Sequence, residues 1–265
     1  MKNIFVLKAR KTALIIGLLA ISFTQFSFVP ARHTDAYSKN VEAHSGSDIL
    51  DAINPFSYDL SPMLTKIRRL HVYDSLHLNE EGLSFEAFEY GIRGMEKLAD
   101  AGLARNTSII SIADFSQPSA NKRLYIVDLD NYELLFRTWV AHGRNSGKEM
   151  AQSFSNKFSS YQSSLGFYLT SETYRGSHGY SLKLEGMEKG INDNARERAI
   201  VMHAADYVNE GFIRSQGYIG RSLGCPAVAP VLHKKIIEEI KGGSCFFIYY
   251  PSQNYLNKSF LLADY

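Results

Sequence analysis

The chain has 265 residues, 45% apolar, 21% charged and 12% aromatic, a globular composition that excludes a wholly disordered or collagen-like polymer. Lys plus Arg number 29 and Asp plus Glu 27, a formal charge of +2 that gives no electrostatic case for a nucleic-acid partner. Two cysteines, Cys225 and Cys245, are too few for a disulfide scaffold and form no CxxC pair for a zinc ribbon; one bridge between them stays open.

Residues 1–11 carry Lys2, Lys8, Arg10 and Lys11 and no acid, and Ala13 to Phe23 read ALIIGLLAISF. A basic stretch before a short apolar run is a secretory signal pattern, so residues 1–31 are expected to be a signal peptide or an uncleaved N-terminal anchor. Thr24, Gln25 and Ser27 suit a bilayer centre poorly, and no cysteine near the run invites lipid attachment. The expectation is an exported protein of the periplasm or cell envelope, with the anchor as its one route to a membrane tether. Residues 32–60 are polar and Ser-rich with Pro55 inside, and read as a linker with room for one short helix.

Pro62 opens an expected helix that runs to His77, with Met63, Ile67, Leu70 and Leu78 at helix-like spacing. Ser84 is an N-cap candidate for a second helix, striped by Phe85, Phe88, Ile92, Met95 and Leu98 and stopped near Gly102. Residues 61–105 thus form a helical lead. From Thr107 the pattern changes to β-branched and aromatic runs: Ser108 to Ala113, Arg123 to Leu129 and Leu134 to Ala141, with Asp130-Asn131 as a hairpin turn. Further strands are expected at Gly166 to Ser171, Tyr180 to Leu184, Ala199 to His203 and Cys245 to Tyr250. A helix is expected over Pro230 to Lys241, with Val231, Ile236, Ile237 and Ile240 apolar and Gly242-Gly243 at its end. The reading is a mainly β domain over 106–252, then a tail at 253–265.

The chemistry concentrates between His178 and Pro226. The loop Gly220-Arg221-Ser222-Leu223-Gly224-Cys225-Pro226 sets a thiol between Gly and Pro. The Gly224 and Cys225 backbone N–H groups can converge on an oxyanion, and Arg221 adds a cation that favours thiolate or attracts a carboxylate. His203 ends an apolar strand and is the leading candidate base for Cys225. The same residues also fit a small buried cysteine, a bridge to Cys245 and a structural histidine.

These strings resemble the L,D-transpeptidases, peptidoglycan enzymes of the YkuD type. His203 followed by Ser222-Leu223-Gly224-Cys225 is similar to their His…Ser-His-Gly-Cys signature. His142-Gly-Arg-Asn-Ser-Gly, Gly179-Tyr-Ser-Leu, Gly190-Ile-Asn-Asp-Asn-Ala-Arg and Ile200-Val-Met-His-Ala-Ala, in that order, are similar to a divergent branch of murein L,D-transpeptidase catalytic domains. Two departures stand out. Leu223 replaces the second His, and the usual Arg after the nucleophile is absent, since Pro226 and Ala227 follow.

The resemblance implies a YkuD-like β-sandwich domain behind a short helical segment. It implies Cys225 as nucleophile, His203 as base, and the Ala204 carbonyl as the group that orients the imidazole. It further implies peptidoglycan peptide stems as donor and acceptor, a thioester on Cys225, and an amine or water to resolve it. No metal or cofactor is expected. Arg221, His178, Tyr174 and Ser222 are candidates for binding the anionic stem. Asn192, Asp193, Asn194, Arg196 and Arg198, and likewise Arg144 and Asn145, fit either substrate contacts or turn and surface roles. Two other readings exist. A zinc peptidase could draw on His142, His178, His203, Cys225 and His233, without HxxxH or HExxH spacing. A non-catalytic cell-wall binding module could use the Tyr and Phe faces of the sheet.

Overall fold

A computed structural model describes residues 61–263; the expected signal or anchor segment and the 32–60 linker lie outside these. Helix α1 (Ser61–Ser75) begins with Pro62 in its first turn, where a missing N–H costs no helical bond. Helix α2 (Phe85–Asp100) is capped by Ser84, whose hydroxyl accepts from the Ala87 N–H at 3.2 Å. Phe88, Ile92, Met95 and Leu98 of α2 are buried, each worth about 1.5–3 kcal/mol. Gly94 lets the helix approach the sheet: a Cβ there would lie 2.1 Å from the Phe167 ring.

The apolar stripe expected on α1 does not face this core. Met63 is 61% exposed, and Leu64, Ile67 and Leu70 are exposed as well. Docking falls instead to the helix end and the turn beyond it, where Tyr73, Leu76 and Leu78 are buried and the Tyr73 hydroxyl donates to the Leu83 carbonyl at 2.5 Å. Arg69 adds an ion pair to Glu96.

Nine strands form one sheet among the described residues. They are β1 (Asn106–Asp114), β2 (Leu124–Asp128), β3 (Glu133–Thr138), β4 (Val140–Ala141), β5 (Gly166–Gly176), β6 (Gly179–Gly186), β7 (Val201–Ala204), β8 (Ala227–Val228) and β9 (Ser244–Tyr249). Their order is β3-β2-β1-β9-β5-β6-β7-β8-β4. The two ends of that order, β3 and β4, are separated in sequence by Trp139 alone, so the chain carries the sheet almost round to closure. Most pairs are antiparallel; β1 with β9 and β7 with β8 are parallel. The turn between β2 and β3 is built by Asp128, whose carboxylate accepts from the Asp130 and Asn131 N–H groups.

The core lies between the sheet and α2, with α4 (Pro230–Ile240) packed against β1, β6 and β7. Phe167 and Phe247 stack at 4.2 Å across β5 and β9. On α4, Ile236, Ile237 and Ile240 are buried, but Val231 is 80% exposed at the helix start. A short helix, α3 (Glu210–Gln216), buries none of its residues. Residues after 252 form α5 (Gln253–Lys258) and bury Tyr255, Leu261 and Leu262. Glu188 fastens this end: its carboxylate accepts from the Phe167 N–H at 2.8 Å, the Tyr255 hydroxyl at 3.1 Å and the Ser259 hydroxyl. Burial raises its pKa above the usual carboxylate value. No described helix is long and apolar enough to cross a membrane.

Candidate active site

The parallel pair β7–β8 carries the candidate base on β7 and sets the candidate nucleophile two residues ahead of β8. His203 is in register with Ala227. Two residues before each, the Val201 N–H donates to Cys225 Sγ at 3.5 Å. Thiol and imidazole are therefore carried on neighbouring, parallel segments. A small cluster of Ala141, Ala205, Val208, Ile219, Ala227 and Ala229 packs this end of the sheet.

His203 is 4% exposed. Its Nδ1 lies 2.8 Å from the Ala204 carbonyl. A carbonyl only accepts, so Nδ1 carries the proton and Nε2 keeps a free lone pair. Burial lowers the pKa of His203; the Ala204 bond opposes this and His178 adds to it. The imidazole is thus neutral at pH 7.

Cys225 is partly buried, and it and Cys245 are both free thiols. Its Sγ–H points at the Ala199 carbonyl, 3.6 Å away. Burial raises its pKa, against the pull of the Val201 N–H and the Arg198 guanidinium. The resting pair is neutral thiol beside neutral imidazole. Among the described residues no hydrogen bond joins the two side chains, a separation common in unliganded sites. Cys245 lies wholly buried in β9 with its pKa raised far above the ordinary thiol value, an inert core position.

The turn before Cys225 is fixed from inside. Ser222 Oγ accepts from the Gly224 N–H at 3.0 Å and donates to the Cys225 carbonyl at 2.7 Å. The Ser222 N–H donates to the His142 carbonyl at 2.9 Å. The hydroxyl of Ser222 thus serves the turn, and the Gly224 N–H is occupied. Gly224 has φ +127°, and a Cβ would lie 2.8 Å from the Gln162 carbonyl oxygen. Leu223 is 57% exposed.

The cation beside the thiol is Arg198, not Arg221. Arg198 donates from Nη1 to the Ser155 carbonyl and Ser164 Oγ, and from Nη2 to Ser160 Oγ and the Gln162 carbonyl, at 2.5–3.3 Å. It pins the 155–164 segment beneath the Cys225 turn. Arg221 instead donates to the carbonyls of Arg144 and Gly147, at 3.2 and 3.1 Å. Its charge acts on His142, which is fully buried between Arg123 and the Gly147 carbonyl and has its pKa pushed down to about 3, chiefly by burial. Arg144 stacks on Tyr161 at 4.3 Å, and the Asn145 side chain donates to the Ser160 carbonyl.

Ala199 and Val201, whose backbones touch the sulfur, line a cavity of about 270 Å³ together with Tyr174, Lys183, Leu184, Arg196 and Ile200. Tyr174 is exposed at its wall, with the Lys183 ammonium 5.6 Å from its ring. Arg196 pairs with Glu172 and Glu185. The neighbours of Arg196 divide between other tasks: Asn192 is buried and holds Glu188 and Leu165, while Asp193 and Asn194 bond Asn156. His178 stacks on His203. His233 is partly buried on α4 and bonds the Pro230 carbonyl. Among the described residues no three His, Cys, Asp or Glu side chains gather where they could hold a metal ion.

Two features escaped the sequence reading, the Arg198 clamp and Tyr207. The Tyr207 ring packs on Gly220, and burial together with Cys225 raises its phenol to about 12.

Fold and site together define a mainly β protein with a neutral histidine on β7 and a half-buried cysteine in the turn that leads into the adjacent strand β8. The L,D-transpeptidase catalytic domain family matches residues 79–249, well over half of the chain, and the chain belongs to that family. No curated protein matches it. Among solved structures it is similar to an L,D-transpeptidase from Mycobacterium smegmatis, at 11% identity, TM-score 0.35, over 54% of this chain and 59% of that one. The L,D-transpeptidase from Stackebrandtia nassauensis aligns at 16% identity, TM-score 0.33, over 57% and 58%. One from Mycobacterium tuberculosis aligns at 13% identity, TM-score 0.32, over 54% and 58%. The chain thus spans less than two thirds of each.

Proposed function

We propose that the protein is a cysteine-dependent peptidoglycan L,D-transpeptidase that works through a thioester on Cys225. The observation that carries this is the placement of the Cys225 thiol and the neutral His203 imidazole on adjoining parallel segments, with Ala199 and Val201, whose backbones touch the sulfur, lining a neighbouring cavity. Family membership supports the substrate class.

As a donor stem seats, the Cys225 proton passes to His203 Nε2 and the sulfur attacks the carbonyl that precedes a D-residue. The Cys225 N–H is the backbone donor for the oxyanion, since the Gly224 N–H is held by Ser222. The C–N bond breaks, the D-residue amine leaves with the proton from His203, and a thioester remains. An acceptor amine then gives up a proton to His203, attacks the thioester and forms the crosslink; the thiolate is reprotonated. Water as acceptor gives L,D-carboxypeptidase instead. Export through residues 1–31 would bring this domain to its polymer.

The test is incubation with purified peptidoglycan followed by mass analysis of stems and crosslinks. Wild type should consume tetrapeptide stems, whereas Cys225→Ala and His203→Ala should not. Stems unchanged by folded wild type would refute the assignment.

A further inference from the structure

His178 occupies the two-residue turn Ser177–His178 that joins β5 to β6. The turn is exposed, yet its imidazole lies flat on a buried one. The His178 and His203 ring centroids are 4.3 Å apart and their planes are inclined by 21°. The hairpin ladder ends at the pair Gly176 and Gly179, so strand pairing alone does not place this ring. The Cys225 loop carries Leu223, which has no ring nitrogen and is exposed.

We propose that His178 is a positioning residue for the reaction at Cys225: stacked on His203, it roofs the imidazole against water and keeps it in the orientation set by the Ala204 carbonyl. This rests on His203 being the base. An uncovered His203 ring would let water compete for the Nδ1–H bond and free the χ2 torsion. Charge on His178 also opposes protonation of His203.

The other ionisable groups around β7 are accounted for. On the hairpin strands, Lys183 bonds Glu172 and Tyr180 bonds Glu238 of α4. On α4, Lys241 pairs with Glu238, and His233 turns to Pro230. Lys234, Lys235 and Glu239 of α4, Tyr174 and Arg175 of β5, Glu185 of β6, Arg196, Glu197 and Arg198 before β7, and Asp206 and Tyr207 after it also lie on these elements, together with Cys225. His178 adds to the lowering of the His203 pKa that burial begins.

The test is an NMR titration of the histidine rings in the full chain, for wild type, His178→Ala and His178→Phe, alongside kcat and KM as functions of pH. In His178→Ala the His203 midpoint should rise, because both the cover and the neighbouring charge are gone. The acid limb of kcat should rise with it, and kcat should fall about tenfold with KM within about twofold, a loss of orientation rather than of binding. His178→Phe keeps a stacking ring and should restore most of kcat. An unchanged His203 midpoint in His178→Ala would overturn the proposal, as would a change confined to KM or failure of the Phe variant. If wild type has no activity, the functional assignment fails, and the titration alone still decides whether His178 governs His203.

Discussion

Gly224→Ala should be among the most damaging single changes near the thiol, and its cost can be divided. The native φ of +127° is one that L side chains rarely adopt, a strain of about 1–3 kcal/mol. The new Cβ would also lie 2.8 Å from the Gln162 carbonyl oxygen and 3.1 Å from Ile200 Cδ1, so backbone must move, at roughly another 1–3 kcal/mol. The same carbonyl accepts from Arg198 Nη2 at 2.7 Å, so displacing it loosens the clamp. The sum is about 4 kcal/mol, or about 8–16 °C in Tm for a domain of this size. Gly217→Ala is the control. Gly217 caps α3 at φ +87° with nothing within 4 Å of the added carbon, so it should cost only about 1 kcal/mol. Urea unfolding followed by circular dichroism measures both. If the two variants lose equal stability, the steric part of the reasoning is wrong.

Gly94→Ala should destabilise by about 2–3 kcal/mol through collision with Phe167, and Phe167→Leu in the same chain should recover part of it in urea unfolding. Alkylation of Cys225 by iodoacetamide should accelerate with pH past the ordinary thiol range, because burial raises the thiol pKa; a rate plateau already reached below neutrality would reveal a preformed ion pair and contradict the neutral resting state. In Arg198→Met the same profile should shift to still higher pH, since the cation that favours thiolate is gone, and the folded state should lose about 3 kcal/mol of stability with the lost bonds. His142 has a folded pKa of about 3 against 6.5 in the unfolded chain, so protons bind the unfolded state more and stability should fall as pH drops from 6.5 toward 3; His142→Asn should flatten that slope.

Much of the fold was written locally. The α2 stripe, the Ser84 cap, the Asp130-Asn131 turn and the Ile-rich face of α4 follow from short-range pattern, and the structure places them where pattern puts them. What pattern does not encode is pairing at a distance. The two-residue strand β8 follows Pro226 and exists only because β7 and β4 flank it. Helix α3 buries nothing, so it leaves no periodic signal. On α1 the periodicity is real, but Tyr73 and the turn after the helix do the docking.

The site divides the same way. A thiol between Gly224 and Pro226 and a histidine at a strand end are visible as residues. Which cation stands near the sulfur is not, because the partners of Arg198 are hydroxyls and carbonyls of an aperiodic Ser-rich loop. Nor does spacing reveal that a hairpin turn lays His178 on His203.

The central claim is that an acyl group passes through the Cys225 sulfur. The direct measurement is the intact mass of the protein quenched in acid during reaction with a tetrapeptide stem, with peptide mapping of the product. The account predicts an added mass equal to the stem minus its terminal D-residue, on Cys225, discharged by an acceptor amine and absent from Cys225→Ala. Turnover of stems by Cys225→Ala, or an acyl group mapped to another side chain, would contradict it.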